Sequence, residues 1–225
     1  MNQKNRSSYL LILLSLLGIF HVAFPLLQIS RAPVNKQATL LFNSLQVALG
    51  ILLLFLPPFI EKLARIRLPK QLVTLYWLFI YFSVFLGTGL GFYGKLPLWD
   101  KFLHTYSAML SASVGLTLML TLIPPKKFKK HALIGYLLFA FTFSMTVGVL
   151  WEFYEHTFDG LLSLNMQRHT RKGTPLIGRE ALKDTMGDLY ANAIGATIYS
   201  VGTYFQLRHN KQKRSHLTTR KITRS

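Results

Sequence analysis

Six apolar blocks, each about as long as a bilayer is thick, constrain this chain more than any other feature. A hydrocarbon core about 30 Å thick is crossed by about 20 largely apolar helical residues, because every backbone amide there must be bonded within its own helix. The blocks run from about Tyr9 to Gln28, Ala38 to Ile60, Leu72 to Tyr93, Asp100 to Ile123, Ala132 to His156 and Lys183 to Leu207. They are continuous, without the periodic stripes of a soluble domain. The expected fold is therefore all-α: a polytopic membrane helical bundle of about six transmembrane helices. Short connections imply one six-helix membrane domain over residues 1–207, followed by a basic tail at 208–225.

Lys4 and Arg6 precede the first block, but no small-x-small cleavage site follows, so this block is expected to be a retained helix. Pro25, Pro57 and Pro58 fall inside or near the ends of blocks, where a kink is tolerable if the freed carbonyls find partners. Cytoplasmic segments carry the excess of Lys and Arg. Of the 26 such residues, 17 lie in the N-terminus, the second loop, the fourth loop and the C-terminal tail, leaving 9 on the other side. Both termini are expected to be cytoplasmic, in a multi-pass protein of a bacterial inner or plasma membrane.

The net charge of +18 largely marks this topology. The tail would lie against anionic membrane lipid, and nucleic acid is not an expected partner. No particular oligomeric state is implied. The loop 157–182 breaks the charge pattern, because Arg168, Arg171, Lys172 and Arg179 stand on the side that should be poor in charge. These four are candidates for binding an anionic substrate headgroup, with Arg suited to bidentate phosphate contact. A solvated loop lying on lipid headgroups is the alternative.

Of only eight acids, seven map to the extracytoplasmic side: Asp100, Glu152, Glu155, Asp159, Glu180, Asp184 and Asp188. Most come from three helix ends, and their spacing gives each helix one polar stripe. Asp100 and His104 are four apart; Glu152, Glu155 and His156 follow at three and four; Asp184, Asp188 and Asn192 continue at four. At about 1.5 Å per residue, His104, Glu152 and Asp188 lie one turn inside the membrane boundary, with Asp100, Glu155, His156 and Asp184 nearer to it.

Isolated charges cost about 2.5–3.5 kcal/mol each on insertion scales, so such groups face one another or water. Converging carboxylates repel unless a cation neutralises them. The candidate metal ligands are Asp100, His104, Glu152, Asp184 and Asp188, and the candidate acid–base residues are Glu155 and His156. Oxygen and imidazole donors suit Zn, Mn, Mg, Ca or non-haem Fe, and the absence of cysteine excludes thiolate ligands and disulfides. As alternatives, Asp100 and Asp184 can act as N-caps, His104 as a hydrogen-bonded interior histidine, and Trp99, Trp151 and Tyr93 as an interfacial aromatic belt. "GLGFYG" at 89–94 spells a dinucleotide motif but ends a membrane helix, so it reads better as small-residue packing.

The stretches "WDKFLHTYSA", "WEFYEH" and "DTMGDLYANAIGA" together resemble an uncharacterised family of six-helix bacterial inner-membrane proteins, the YjdF-type family. More distantly they are similar to VanZ-like membrane proteins, whose pattern falls here on Asp100, Lys101, His104, Glu152, Asp188, Asn192 and Gly195. The likeness covers roughly residues 95–200 and supports the grouping of these polar residues. The VanZ-like proteins are associated with glycopeptide-antibiotic tolerance, and carrying that association over would be analogy at the level of fold. Three functions remain open. The first is a metal-dependent hydrolase or transferase acting on a lipid or cell-envelope substrate. The others are a cation- or proton-coupled transporter and a non-catalytic protein in which the cluster locks helices together.

Overall fold

In the computed structural model, the described residues are 3–124, 130–209 and 220–221. Most of the basic tail at 208–225, and the loop bearing Lys126, Lys127 and Lys129, lie outside them. The helices are α1 (Gln3–Gln28), α2 (Val34–Leu54), α3 (Leu56–Ala64), α4 (Lys70–Ile80), the short α5 (Phe92–Lys95), α6 (Trp99–Leu122), α7 (Lys130–Leu162) and α8 (Lys183–His209). The fold is all-α, as a polytopic membrane protein requires. Among the described residues, five stretches are long and apolar enough to cross a bilayer: Tyr9–Arg31, Leu40–Ala64, Lys70–Gly89, Trp99–Leu122 and Ala132–Leu162. The sixth expected span folds as α8 but is not among the five: its first turns carry Asp184, Asp188 and Asn192, and Ser, Thr, Tyr and Gln recur along the rest of it.

Two compact units divide the chain, residues 1–99 with 219–225 and residues 100–218. The first is built on Leu14, Val47, Leu54, Trp77, Ile80 and Phe85. Its second expected span is interrupted at Phe55, after which Pro57 and Pro58 occupy the first turn of α3, where a missing N–H costs least. The break strands carbonyls at the end of α2. Tyr76 Oη donates to the Leu53 carbonyl at 3.0 Å and Trp77 Nε1 to that of Leu54 at 2.8 Å, so α4 supplies the missing partners. Beyond α4 the helix widens into a π-helical stretch, Tyr81–Gly89. A side chain at Gly89 would come within 2.9 Å of the His21 ring, in keeping with a small-residue packing role for the glycine-rich segment. Gly91, at φ +71°, makes the turn that ends the stretch.

The second unit comprises α6, α7 and α8, and its two ends differ in chemistry. Ala112, Leu116 and Leu120 of α6, Leu133, Tyr136, Leu137 and Ala140 of α7, and Leu207 of α8 form an apolar core at one end. The opposite end collects Asp100, His104, Glu152, Glu155, Asp159, Asp188 and Asn192, all buried. Backbones approach closely between the two ends. A methyl at Gly148 of α7 would collide with the Asn192 carboxamide, and one at Gly195 of α8 with the Thr105 carbonyl. Small residues at these crossings let three helices bring polar stripes together. Ser144 Oγ seals the contact further down by donating to the Ala108 carbonyl at 2.8 Å.

Candidate metal centre

Asp100 and Asp184 both lie within the first turn of their helices, α6 and α8, and both turn their carboxylates toward one group, the ammonium of Lys101. Lys101 Nζ donates to Asp184 Oδ1 at 2.6 Å, to Asp188 Oδ1 at 2.8 Å and to Asp100 Oδ2 at 3.3 Å. It also reaches the Asp184 carbonyl at 3.3 Å. The stem of the lysine passes over Gly187, where an added methyl would sit 3.0 Å from Lys101 Cε. A lysine on α6 thus ties together the acids of α6 and α8.

Beside this ion pair stands His104, four residues on and buried. Its Nε2 is 3.4 Å from Asp188 Oδ1 and 3.8 Å from Asp100 Oδ1. Asn192, one turn below Asp188, adjoins its ring. One ligand atom from each of Asp100, His104 and Asp188 lies within 4.8 Å of the others, and all three residues are buried. Two ligands about 2.1 Å from a tetrahedral ion are themselves about 3.4 Å apart, so the observed separations suit such an ion. This buried Asp–His–Asp group could hold a metal.

Glu152 and Asp184, named with these three from the sequence, stand outside that group. Glu152 is 4% exposed and has Thr185 and Gln167 as polar neighbours, with Asp184 and Lys101 the charges beside it. Thr185 and Gln167 are its nearest donors, while Asp184 Oδ2 and Asp188 Oδ2 are buried without a hydrogen-bond partner. Gln167 and Thr185 are bonded to each other, Gln167 Nε2 donating to Thr185 Oγ1 at 2.9 Å.

Of the two candidate acid–base residues, Glu155 is buried and accepts from Trp151 Nε1 at 2.9 Å. That bond gives Trp151 a role beyond an aromatic belt. His156 is exposed, and its Nδ1 meets Gln167 Oε1 at 3.2 Å. The two therefore point to different partners despite being adjacent in sequence.

The basic loop also divides. Asp159, on the last turn of α7, accepts from the backbone N–H of Met166 at 2.7 Å and of Gln167 at 2.9 Å, and pairs with His169 at 3.3 Å. This fixes the segment on either side of Arg168, which adopts φ +48°. The Arg168 guanidinium is aimed back at the acids, 3.6 Å from Asp100 Oδ2 and 3.7 Å from Asp184 Oδ1. Arg171, Lys172 and Arg179 are exposed. Thr170–Arg171 pairs with Thr174–Pro175 in a tight hairpin whose turn residues, Lys172 and Gly173, both have positive φ.

Lys101 and Arg168 thus pair with Asp100, Asp184 and Asp188, while Glu152 and Glu155 add two more carboxylates to the cluster. With all ionised the cluster keeps a formal negative excess. Lys101 enters the sequence reading only through the likeness to the VanZ-like pattern, because an ammonium is a donor and no metal ligand. Its place beside Asp100, three before His104, was the available clue. Asp159 carried no clue to its capping of the loop beyond its side of the membrane.

Comparison with known proteins places these residues in a wider group. The model of the family described as predicted membrane protein (DUF2238) matches residues 11–209, which include every helix of the site. An uncharacterised protein of Thermotoga maritima is 30% identical over 142 residues, which are 63% of this chain and 66% of that protein, just under two thirds of its length. No solved structure matches. With a match running from α1 to the end of α8, the chain belongs to the DUF2238 family of predicted membrane proteins.

Proposed function

We propose that this membrane protein holds a divalent metal on Asp100, His104 and Asp188, and acts as a hydrolase or transferase on a lipid or cell-envelope substrate. The observation that carries the proposal is the buried Asp–His–Asp group with Asp188 Oδ2 unpartnered beside it. Buried polar groups normally find partners, and a mixed imidazole and carboxylate set is a metal's donor set. In this reading the site faces the extracytoplasmic side of a bacterial inner membrane and both termini are cytoplasmic, in keeping with the Lys and Arg distribution.

When bound, the metal would supply Lewis acidity to a phosphoryl or carbonyl oxygen, or acidify a water. The chain's own residues do the rest. Lys101 and Arg168 hold Asp100, Asp184 and Asp188 against one another's charge. Glu155, fixed by the Trp151 indole, is placed to take a proton at its carboxylate, and exposed His156 to pass one to solvent. Arg171, Lys172 and Arg179 would meet an anionic headgroup at the rim. The likeness of the Asp100, Lys101, His104 stretch to the VanZ-like pattern supports a shared site without supplying a substrate.

A second reading rests on Lys101 alone: its three aspartate contacts make a lock that ties α6 to α8 with no chemistry. Transport is less favoured, because hydroxyls further along the unit are spent on helix carbonyls, Thr117 on Ser113, Thr121 on Thr117 and Ser144 on Ala108. Elemental analysis separates metal site from lock. Protein purified without chelator should carry about one zinc, manganese or iron per triad, lost in His104→Ala and in Asp188→Asn. A metal-free wild type would leave the lock reading in possession.

A further inference from the structure

We infer that Gln167 is a positioning residue: it holds His156 in the tautomer protonated at Nδ1, so that Nε2 is the nitrogen that takes a proton. Four residues from three parts of the second unit form the chain behind this. Glu152 and His156 stand four apart on one face of α7, Gln167 lies in the loop that follows, and Thr185 is on the first turn of α8. Gln167 Nε2 meets Thr185 Oγ1 at 2.9 Å, and Gln167 Oε1 meets His156 Nδ1 at 3.2 Å. Thr185 and Gln167 both turn side-chain donors toward buried Glu152. The backbone of Gln167 is fixed as well, its N–H donating to Asp159 Oδ2 at 2.9 Å.

The direction of every proton follows from the buried end. An ionised carboxylate only accepts, so the one hydroxyl proton of Thr185 goes to Glu152. The hydroxyl oxygen is then left to accept, which points the Gln167 amide hydrogens at Thr185 and Glu152. The carboxamide oxygen remains for His156, and an oxygen that only accepts requires a hydrogen on Nδ1. Turning the amide over would set its oxygen against Glu152 and take a donor from a buried carboxylate. His156 is exposed, and its Nε2 has no partner among the described residues, so the lone pair there is accessible. The catalytic consequence rests on the proposed acid–base role of His156. A proton leaving water or a substrate hydroxyl bonds to Nε2, while Nδ1–H keeps its bond to Gln167 and the carboxamide oxygen faces the imidazolium charge.

The test is ¹⁵N NMR of the full-length protein in detergent, labelled on histidine, at a pH about two units above the ordinary imidazole pKa. The His156 resonances are identified by their loss in His156→Gln. Wild type should show His156 with Nδ1 protonated and Nε2 bare. Gln167→Leu should revert to the Nε2–H form that a free histidine side chain prefers, while Gln167→Glu, which keeps an acceptor, should retain Nδ1–H. A wild-type His156 protonated mainly at Nε2 overturns the inference, and so does Nδ1–H retained in full by Gln167→Leu. The tautomer is read without metal or substrate. Metal-free wild type with Nδ1–H at His156 would therefore sink the metal proposal and leave this one standing, and metal-loaded wild type with Nε2–H would do the reverse.

Discussion

Among the described residues, Lys101 and Asp100 each make three charged contacts. The Lys101 ammonium is shared by three aspartates from two helices, so replacing it with Met removes a positive charge from among acids that are 1–12% exposed in their side chains. Breaking a buried pair by deleting one partner costs about 3–5 kcal/mol. Lys101 is itself 26% exposed, so a loss near the lower bound is expected. Thermal unfolding in detergent should show Lys101→Met markedly destabilised, with Lys101→Arg partly restored. Gly148 is constrained by a different force. Its missing Cβ is the space taken by the Asn192 carboxamide, and Gly148→Ala should cost about 1–3 kcal/mol by overpacking, read as a lowered Tm. The same change at Gly135, which has open space around it, should be close to neutral.

Among the elements, the loop between α7 and α8 owes its shape to one carboxylate. Asp159→Ala removes two backbone hydrogen bonds and the His169 pairing, so the segment from Ser163 to Gly178 should become open to limited proteolysis while α6 to α8 keep their helicity by circular dichroism. Unchanged cleavage would show that the hairpin holds itself. The convergence of α6, α7 and α8 on one polar end was readable from residues spaced three and four apart, because the helix turns 3.6 residues at a time and leaves few other choices. What could not be read was which acid met which cation. Side-chain pairing depends on how closely α8 crosses α6, which Gly187 and Gly195 set, and glycine positions look alike until the backbones are in place. The break at Phe55 was likewise hidden, since Pro57 and Pro58 signal either a kink or a helix start.

Across the whole molecule, composition determined the class: long apolar blocks left an all-α membrane protein as the fold, and the family match agrees. By length and composition α8 is not among the five candidate spans, because Ser, Thr, Tyr and Gln recur along it in addition to the polar residues of the site. The orientation proposed from the Lys and Arg count is open to direct test, helped by a chain with no cysteine of its own. A Thr174→Cys variant, at the exposed hairpin next to the site, should react with a membrane-impermeant maleimide added outside intact spheroplasts. Labelling only after lysis would place the site in the cytoplasm and reverse the proposed topology.

The central claim is that Asp100, His104 and Asp188 bind a metal, and elemental analysis of the purified full-length protein tests it most directly. Wild type prepared without chelator should retain a transition metal, and His104→Ala, folded and present at normal abundance, should lose it. Wild type free of metal, or His104→Ala carrying as much as wild type, would contradict the account.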